Sequence, residues 1–282
     1  MGEVYTKPRS FIKEMEMDNR AIGFFDSGLG GLTSVPVLKR ALPNEKVLYF
    51  GDTARTPYGS KSPDTVCKFS AQIVDYLVSK NVKLIVIACN TVTAMALDML
   101  REKHPEVPIV GVIDPTARRV AADDVCNVGI IGTKVTIESG VYAESIHSLN
   151  PNINTYSLAC PAFVPLIEEG IIDNEIMDLT IKYYMDDFVK NNNIDSLILG
   201  CTHYPLITAN IKRIYPELKL YNSSAEVISD VVDILTEKDM LAGENDFPDR
   251  FYASDLSENF LRMTNTLFEG YDTKIKLKKL DD

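Results

Sequence analysis

Two stretches far apart in the chain follow one plan. Leu84-Ile85-Val86-Ile87-Ala88 is an unbroken apolar run that stops at Cys89, with Asn90 and Thr91 after it. Leu197-Ile198-Leu199-Gly200 stops at Cys201, with Thr202 and His203 after it. Apolar runs without polar alternation suit strands covered on both faces, as in a parallel α/β sheet. Ligands of such sheets bind outside the carboxyl ends of the strands. Thiols at two such ends can face one ligand from opposite sides.

Read in order, the rest of the chain repeats this arrangement. A first strand over residues 21–26 leads into Ser27-Gly28-Leu29-Gly30-Gly31 and a helix that runs to residue 41. A second strand over 47–52 and a loop holding Thr56-Pro57-Tyr58-Gly59 follow, the loop rich in turn formers. Over 63–80 the apolar Val66, Phe69, Ile73, Val74 and Leu77 fall three or four apart, the spacing of an amphipathic helix. The Cys89 strand, a helix over 91–103 and a strand over 109–113 complete this half.

After Asp114-Pro115 the programme restarts. It runs through a strand over 128–132, one helix from Thr133 toward His147 and a strand over 154–158. A loop from Cys160-Pro161 through Glu168 and Glu169, a helix over 175–190, the Cys201 strand, a helix through Tyr215 and a strand over 218–221 follow. Asp26 and Gly132-Thr133 stand at matching points, as do Cys89 and Cys201. The pattern predicts an internal duplication: two similar, doubly wound α/β lobes with mainly parallel sheets and a cleft between their strand ends. Beyond residue 222 the chain offers a helix over 225–241, a strand over 251–253, another helix and a basic end (Lys274, Lys276, Lys278, Lys279) that reads as a solvated face.

Charge narrows the function. With 29 basic against 40 acidic residues the net charge is −11, which argues against nucleic acid or an anionic membrane as partner. An anionic substrate then needs a local positive site, made by backbone amides or a few side chains. No apolar run reaches the length of a bilayer span, and residues 1–20 lack the apolar core of a secretory signal, so they read as a leader. Met1-Gly2-Glu3-Val4-Tyr5-Thr6 fits the loose myristoylation pattern, a match that short patterns give by chance. The five cysteines are odd in number, widely spaced and never paired as C-x-x-C, as expected for a reducing cytoplasm rather than a disulfide framework.

A cysteine just before a helix lies near free backbone N–H groups and the positive end of the helix dipole, which predicts a lowered thiol pKa. Taken singly, such a cysteine is more readily a small apolar strand end. Two at equivalent points of a repeat point to chemistry. Cys67 falls on an apolar helical phase, and Cys126 and Cys160 have no partner that suggests reactivity. Asp26-Ser27-Gly28-Leu29-Gly30-Gly31 lacks both the Walker ending and the full G-x-G-x-x-G spacing, but its amides could approach a carboxylate. Asp26 could meet a substrate ammonium, assist Cys89, or simply cap the next helix. Asn90, Thr91, Thr133, Thr136 and Thr202 cluster at strand ends and could hold carboxylates without arginine. His203 is the one histidine of three in a strand-end motif, fit for proton handling beside Cys201. Cys201 and His203 have no further ligand at metal spacing, so no metal is expected, and no strand-end lysine suggests a Schiff-base cofactor.

Phe25-Asp26-Ser27-Gly28-Leu29-Gly30-Gly31, Pro57-Tyr58-Gly59, Ala88-Cys89-Asn90-Thr91, Gly132-Thr133-Lys134-Val135-Thr136 and Gly200-Cys201-Thr202-His203-Tyr204-Pro205 together resemble the motifs of cofactor-independent glutamate racemases, in order and spacing. The resemblance covers residues 21–222. It implies interconversion of L- and D-glutamate for bacterial peptidoglycan, with no cofactor. It implies that Cys89 acts on the D-enantiomer and Cys201 on the L-enantiomer. Asp26 and His203 would assist, with Glu168, which adjoins Glu169, near His203. Ser27, Pro57, Tyr58, Gly59, Asn90, Thr91, Thr133, Thr136 and Thr202 would contact substrate. It also implies a homodimer and two α/β domains, 1–113 with the returning 222–282, and 114–221. An aspartate racemase or a decarboxylase using the same cleft, and a non-catalytic small-acid binding module, are the alternatives.

Overall fold

The computed structural model describes residues 17–267 and 274–280; most of the leader, residues 1–16 with the myristoylation-like stretch, lies outside the described residues. Strand β1 (Ile22–Asp26) passes through a 3-10 turn (Gly30–Ser34) into α1 (Val35–Ala41), β2 (Val47–Gly51), α2 (Pro63–Ser79), β3 (Leu84–Ile87), α3 (Asn90–Lys103), β4 (Ile109–Gly111) and α4 (Ile113–Ala122). The second half holds β5 (Asn127–Gly132), α5 (Lys134–Glu138), α6 (Val141–Leu149), β6 (Asn154–Ala159), α7 (Phe163–Glu168), α8 (Glu175–Asn191) and β7 (Ser196–Gly200). A 3-10 turn (Tyr204–Ile207), α9 (Thr208–Ile214), β8 (Lys219–Asn222), α10 (Ser223–Glu237), β9 (Arg250–Ala253), α11 (Glu258–Leu267) and β10 (Ile275–Leu277) complete it.

The strands form two sheets, β10-β9-β2-β1-β3-β4 and β6-β5-β7-β8, and every pairing is parallel. Without β9 and β10, each sheet has the same order: second strand, first, third, fourth. The duplication is therefore one of topology as well as pattern. In this order the chain changes direction across the sheet between its first and third strands, and the crevice outside their carboxyl ends is the ligand site of doubly wound folds. Asp26 and Cys89 stand at that point in the first sheet, Thr133 and Cys201 in the second.

Successive strand residues point to opposite faces, and both faces are covered. In the first sheet Phe25, Phe50, Ile85 and Ile87 pack against α2 and α3 through Ile73, Leu77, Ala96 and Leu100. Phe24, Tyr49, Leu84 and Val86 point the other way into a cluster that includes Val227, Val231 and Leu235 of α10 and also Leu197 and Leu199 of the second sheet. The opposite face of the second sheet buries Val128, Ile130 and Ile198 against α4 and α6. One apolar core thus runs between the two sheets.

Four local expectations need correction. The strand over 109–113 ends at Gly111 and the chain turns at once into α4. Asp114-Pro115 lies in the first turn of that helix, where a missing N–H costs nothing and a carboxylate meets the positive helix end. The single helix from Thr133 is broken at Gly140, whose φ of +71° only glycine adopts without strain, into α5 and α6. The loop after Cys160-Pro161 contains α7, in which Pro165 stands within the first turn. The basic end includes β10, which extends the first sheet beside β9 while Lys276 remains exposed.

Candidate active site

The carboxyl ends of the two sheets face one shared cavity. Cys89 and Cys201, each 5% exposed, both line it. The first half of the chain adds Ser27, Asn90 and Thr91 to the wall, and the loop after β2 adds Pro57, Tyr58 and Gly59. The second half adds Thr133, Thr202 and His203. Asp26, Thr136 and Glu168 do not form the wall but stand one contact behind it. A larger cavity at the amino-terminal ends of β1, β2 and β9, lined by Arg20, Lys46, Lys80 and Arg250, has no thiol and no carboxylate side chain among the described residues that line it. The chemistry belongs to the first.

The two thiols have different neighbours. Cys89 Sγ lies 3.4 Å from Ser27 Oγ. Burial and the nearby Asp26 carboxylate push its pKa up to about 12, against the opposing pull of Ser27 and the Val92 backbone N–H. The lowered pKa expected from the helix end is therefore corrected: removal from water outweighs the amides of α3. Cys201 Sγ lies 3.8 Å from His203 Nδ1, and His203 Nε2 is 3.1 Å from Glu168 Oε1. Burial opposes protonation of His203, but hydrogen bonds to Cys201 and Glu168 and their charges outweigh it and raise the pKa to about 10. Of the two adjoining glutamates it is Glu168, at the end of α7, that meets the imidazole.

Asp26 is fully buried. Burial raises its pKa, against the His203 charge and the hydrogen bonds from Gly31, Gly28 and Thr202. Gly28 N–H donates to its Oδ2 at 3.0 Å, so the glycine-loop amides expected to bind a substrate carboxylate serve the protein's own. Thr202 O–H donates to Asp26 Oδ1 at 3.3 Å, linking second half to first. Thr91, Thr133 and Thr136 form a triangle of hydroxyls 3.0–3.2 Å apart, and Thr133 also caps α5 through the Thr136 N–H. No lysine or arginine among the described residues lines the cavity. Among the described residues no group of three His, Cys, Asp or Glu is placed to hold a metal ion.

Sequence reasoning passed over several contributors. Thr56, Val164 and Gly200 also line the cavity; Val164 carries no sequence signal because Pro161 and Pro165 give its stretch the look of a loop. Asp52 accepts hydrogen bonds from the Tyr58 hydroxyl, from Arg55 Nε at 2.7 Å and from Ser254 Oγ at 2.8 Å. It thereby ties the Pro57-Tyr58-Gly59 loop to the chain after β9. Its signal was its place at the end of the second apolar run, as Asp26 stands at the end of the first. The remaining cysteines stand apart from the wall: Cys126 is exposed and Cys160 buried.

A parallel α/β protein of two topologically matched halves, each giving a strand-end thiol to one shared cavity, is the class that fold and site define. A family model described as Asp/Glu/Hydantoin racemase matches residues 35–231. A glutamate racemase of Geobacter metallireducens is 44% identical over 89% of this chain and 93% of its own length. The structure of glutamate racemase from Francisella tularensis in complex with D-glutamate superposes with a TM-score of 0.87 at 40% identity, covering 94% of this chain and 99% of that one. A glutamate racemase from Bacillus anthracis gives a TM-score of 0.87 at 33% identity, over 93% of this chain and 98% of that one. The chain belongs to the Asp/Glu/hydantoin racemase family.

Proposed function

We propose that this chain interconverts L- and D-glutamate by proton transfer between Cys89 and Cys201, without a cofactor. The observation that carries the reading is the convergence of the two thiols, from equivalent strand ends of the two halves, on one cavity. The relatives bearing the name glutamate racemase, one of them described with D-glutamate, support the substrate.

One cysteine, as thiolate, takes the α-hydrogen as a proton from one face of the amino acid. The opposed thiol gives its proton to the other face. One C–H bond breaks, another forms on the opposite side, and the two sulfurs exchange thiol and thiolate roles, ready for the reverse reaction. Cys89 serves the D-enantiomer and Cys201 the L-enantiomer. Asp26 assists at Cys89, and the His203–Glu168 pair assists at Cys201. Ser27, Asn90, Thr91, Thr133, Thr202 and the Pro57-Tyr58-Gly59 loop hold the substrate, with Thr136 supporting the threonine triangle.

The product serves peptidoglycan synthesis in the cytoplasm, and the chain works as a homodimer of two-domain subunits, divided as 1–113 with 222–282 and 114–221. Incubating L-glutamate with the protein in deuterated water, with no added cofactor, tests the reaction. D-Glutamate carrying deuterium at the α-carbon is expected, and Cys89→Ser and Cys201→Ser each lower its appearance by about a hundredfold or more. Inversion of aspartate with glutamate untouched would assign the cleft to another acid. No label exchange on either would remove racemisation altogether.

A further inference from the structure

The side chain of Asn90 is held by residues from beyond its own half. It is the first residue of α3 and lines the cavity beside Cys89. Its Oδ1 lies 2.6 Å from the hydroxyl of Tyr142 on α6. Its Nδ2 lies 3.2 Å from Ser223 Oγ, at the first residue of α10. Ser223 Oγ in turn lies 3.2 Å from the carbonyl oxygen of Leu199 in β7. Asn90, Ser223 and Tyr142 are all buried, none more than 2% exposed.

The direction of each bond follows from the last. A carbonyl oxygen only accepts, so the Ser223 O–H donates to Leu199. Ser223 can then only accept from Asn90, which identifies the amide nitrogen as the end facing Ser223. Oδ1 therefore faces Tyr142 and takes the phenol proton. Burial pushes the Tyr142 phenol above its ordinary value, so it remains an O–H donor through the neutral range. An amide with two N–H bonds and one already given to Ser223 keeps one N–H for the cavity. Turning the amide over would set its oxygen against a Ser223 oxygen whose proton is given to Leu199, leaving that buried contact without a proton.

We propose that Tyr142 and Ser223 are positioning residues that fix the Asn90 amide with one N–H aimed at the bound substrate, so that the grip of the first sheet on substrate depends on contact with the second. The inference rests on the reading above that Asn90 contacts substrate. It adds two residues without substrate contact, one on α6 and one on the returning α10, to the determinants of binding.

The test measures KM and kcat for both glutamate enantiomers in Asn90→Ala, Tyr142→Phe and the double variant, with Ser223→Ala as a second way of releasing the amide. The proposal expects Tyr142→Phe to raise KM by about 3- to 10-fold, the value of one buried hydrogen bond, with kcat within about twofold. On top of Asn90→Ala the same change should add almost nothing. Ser223→Ala should shift KM in the same direction. If Asn90→Ala leaves KM unchanged, the substrate contact itself is wrong. If Asn90→Ala raises KM while Tyr142→Phe does not, or raises it equally in both backgrounds, the contact stands and the positioning role is overturned.

Discussion

Burial and the Asp26 carboxylate together hold the Cys89 thiol near 12, while Cys201 faces an imidazole whose pKa is raised to about 10. The second sulfur therefore has a cationic partner at neutral pH, and the first has the Asp26 carboxyl group as its neighbour. Removing the Asp26 charge should lower the Cys89 pKa. In Asp26→Asn, alkylation of Cys89 by iodoacetamide at pH 8, followed by peptide mass spectrometry, is expected to speed up by several-fold, since only the thiolate reacts. An unchanged or slower rate would mean that the carboxylate does not govern this thiol. His203 gives a second prediction, in stability. Its folded pKa of about 10 exceeds the ordinary 6.5, so its stabilising contribution is complete below pH 6.5 and is lost as pH rises through 10. The melting-temperature gap between the parent and His203→Gln should be widest near pH 6 and close toward pH 10. A gap that widens with pH would reverse the assignment of charge.

At the scale of elements, the strand ends were legible because parallel strands buried on both faces advertise themselves as apolar runs, and the residue after each run was chemically distinct. That signal located Cys89, Cys201, Asp26, Thr133 and Thr202. Helix breaks were less legible: one glycine divides α5 from α6, and a proline that suggested a boundary lies inside the first turn of α4. Partners such as Tyr142 and Ser223 could not be found by spacing, because their role depends on which elements the topology brings together. The closeness of the two halves was equally hidden. A Cβ at Gly30 would lie 2.4 Å from Thr202 Oγ1 and 2.8 Å from its backbone carbon, and one at Gly59 would lie 2.5 Å from Thr133 Cβ. These glycines are two of the points where elements of the first half touch the second. Gly30→Ala must displace Thr202, whose hydroxyl reaches Asp26. It is expected to reduce kcat/KM by about tenfold or more, as misplacement of about 1 Å does at an active site, while the melting temperature falls by only a few degrees. Parent-like turnover would show that the halves tolerate separation there.

Over the whole molecule, the returning segment binds the first sheet to the second. Residues of α10 fill the core between the sheets, β9 and β10 extend the first sheet, and Ser254 reaches back to the Asp52 that anchors Tyr58. The end of α10 is secured by an ion pair closed off from water. Lys83 Nζ lies 2.7 Å from Glu45 Oε2, with side-chain exposures of 0% and 2%. The ammonium also donates to the carbonyl oxygens of Asp18 and Met240, each at 2.6 Å, and Glu45 Oε1 accepts the Ala242 N–H at 2.8 Å. One charge pair therefore gathers the chain before β1, the start of β3 and the chain after α10. Taking away one member leaves a buried charge without its partner, which costs about 3–5 kcal/mol. Lys83→Met should lose stability of that order in urea unfolding. Converting both members, in Lys83→Met with Glu45→Leu, should recover much of it, with a remainder because the Ala242 N–H then has no acceptor. Because α10 begins at Ser223 beside Asn90 and ends at this pair, loosening the far end should also be felt at the cavity: Lys83→Met is expected to raise KM for glutamate under conditions where the variant is still folded. A stability loss below about 1 kcal/mol would mean that the pair is no more than an ordinary surface contact, and a normal KM in the folded variant would mean that the two ends of α10 act independently.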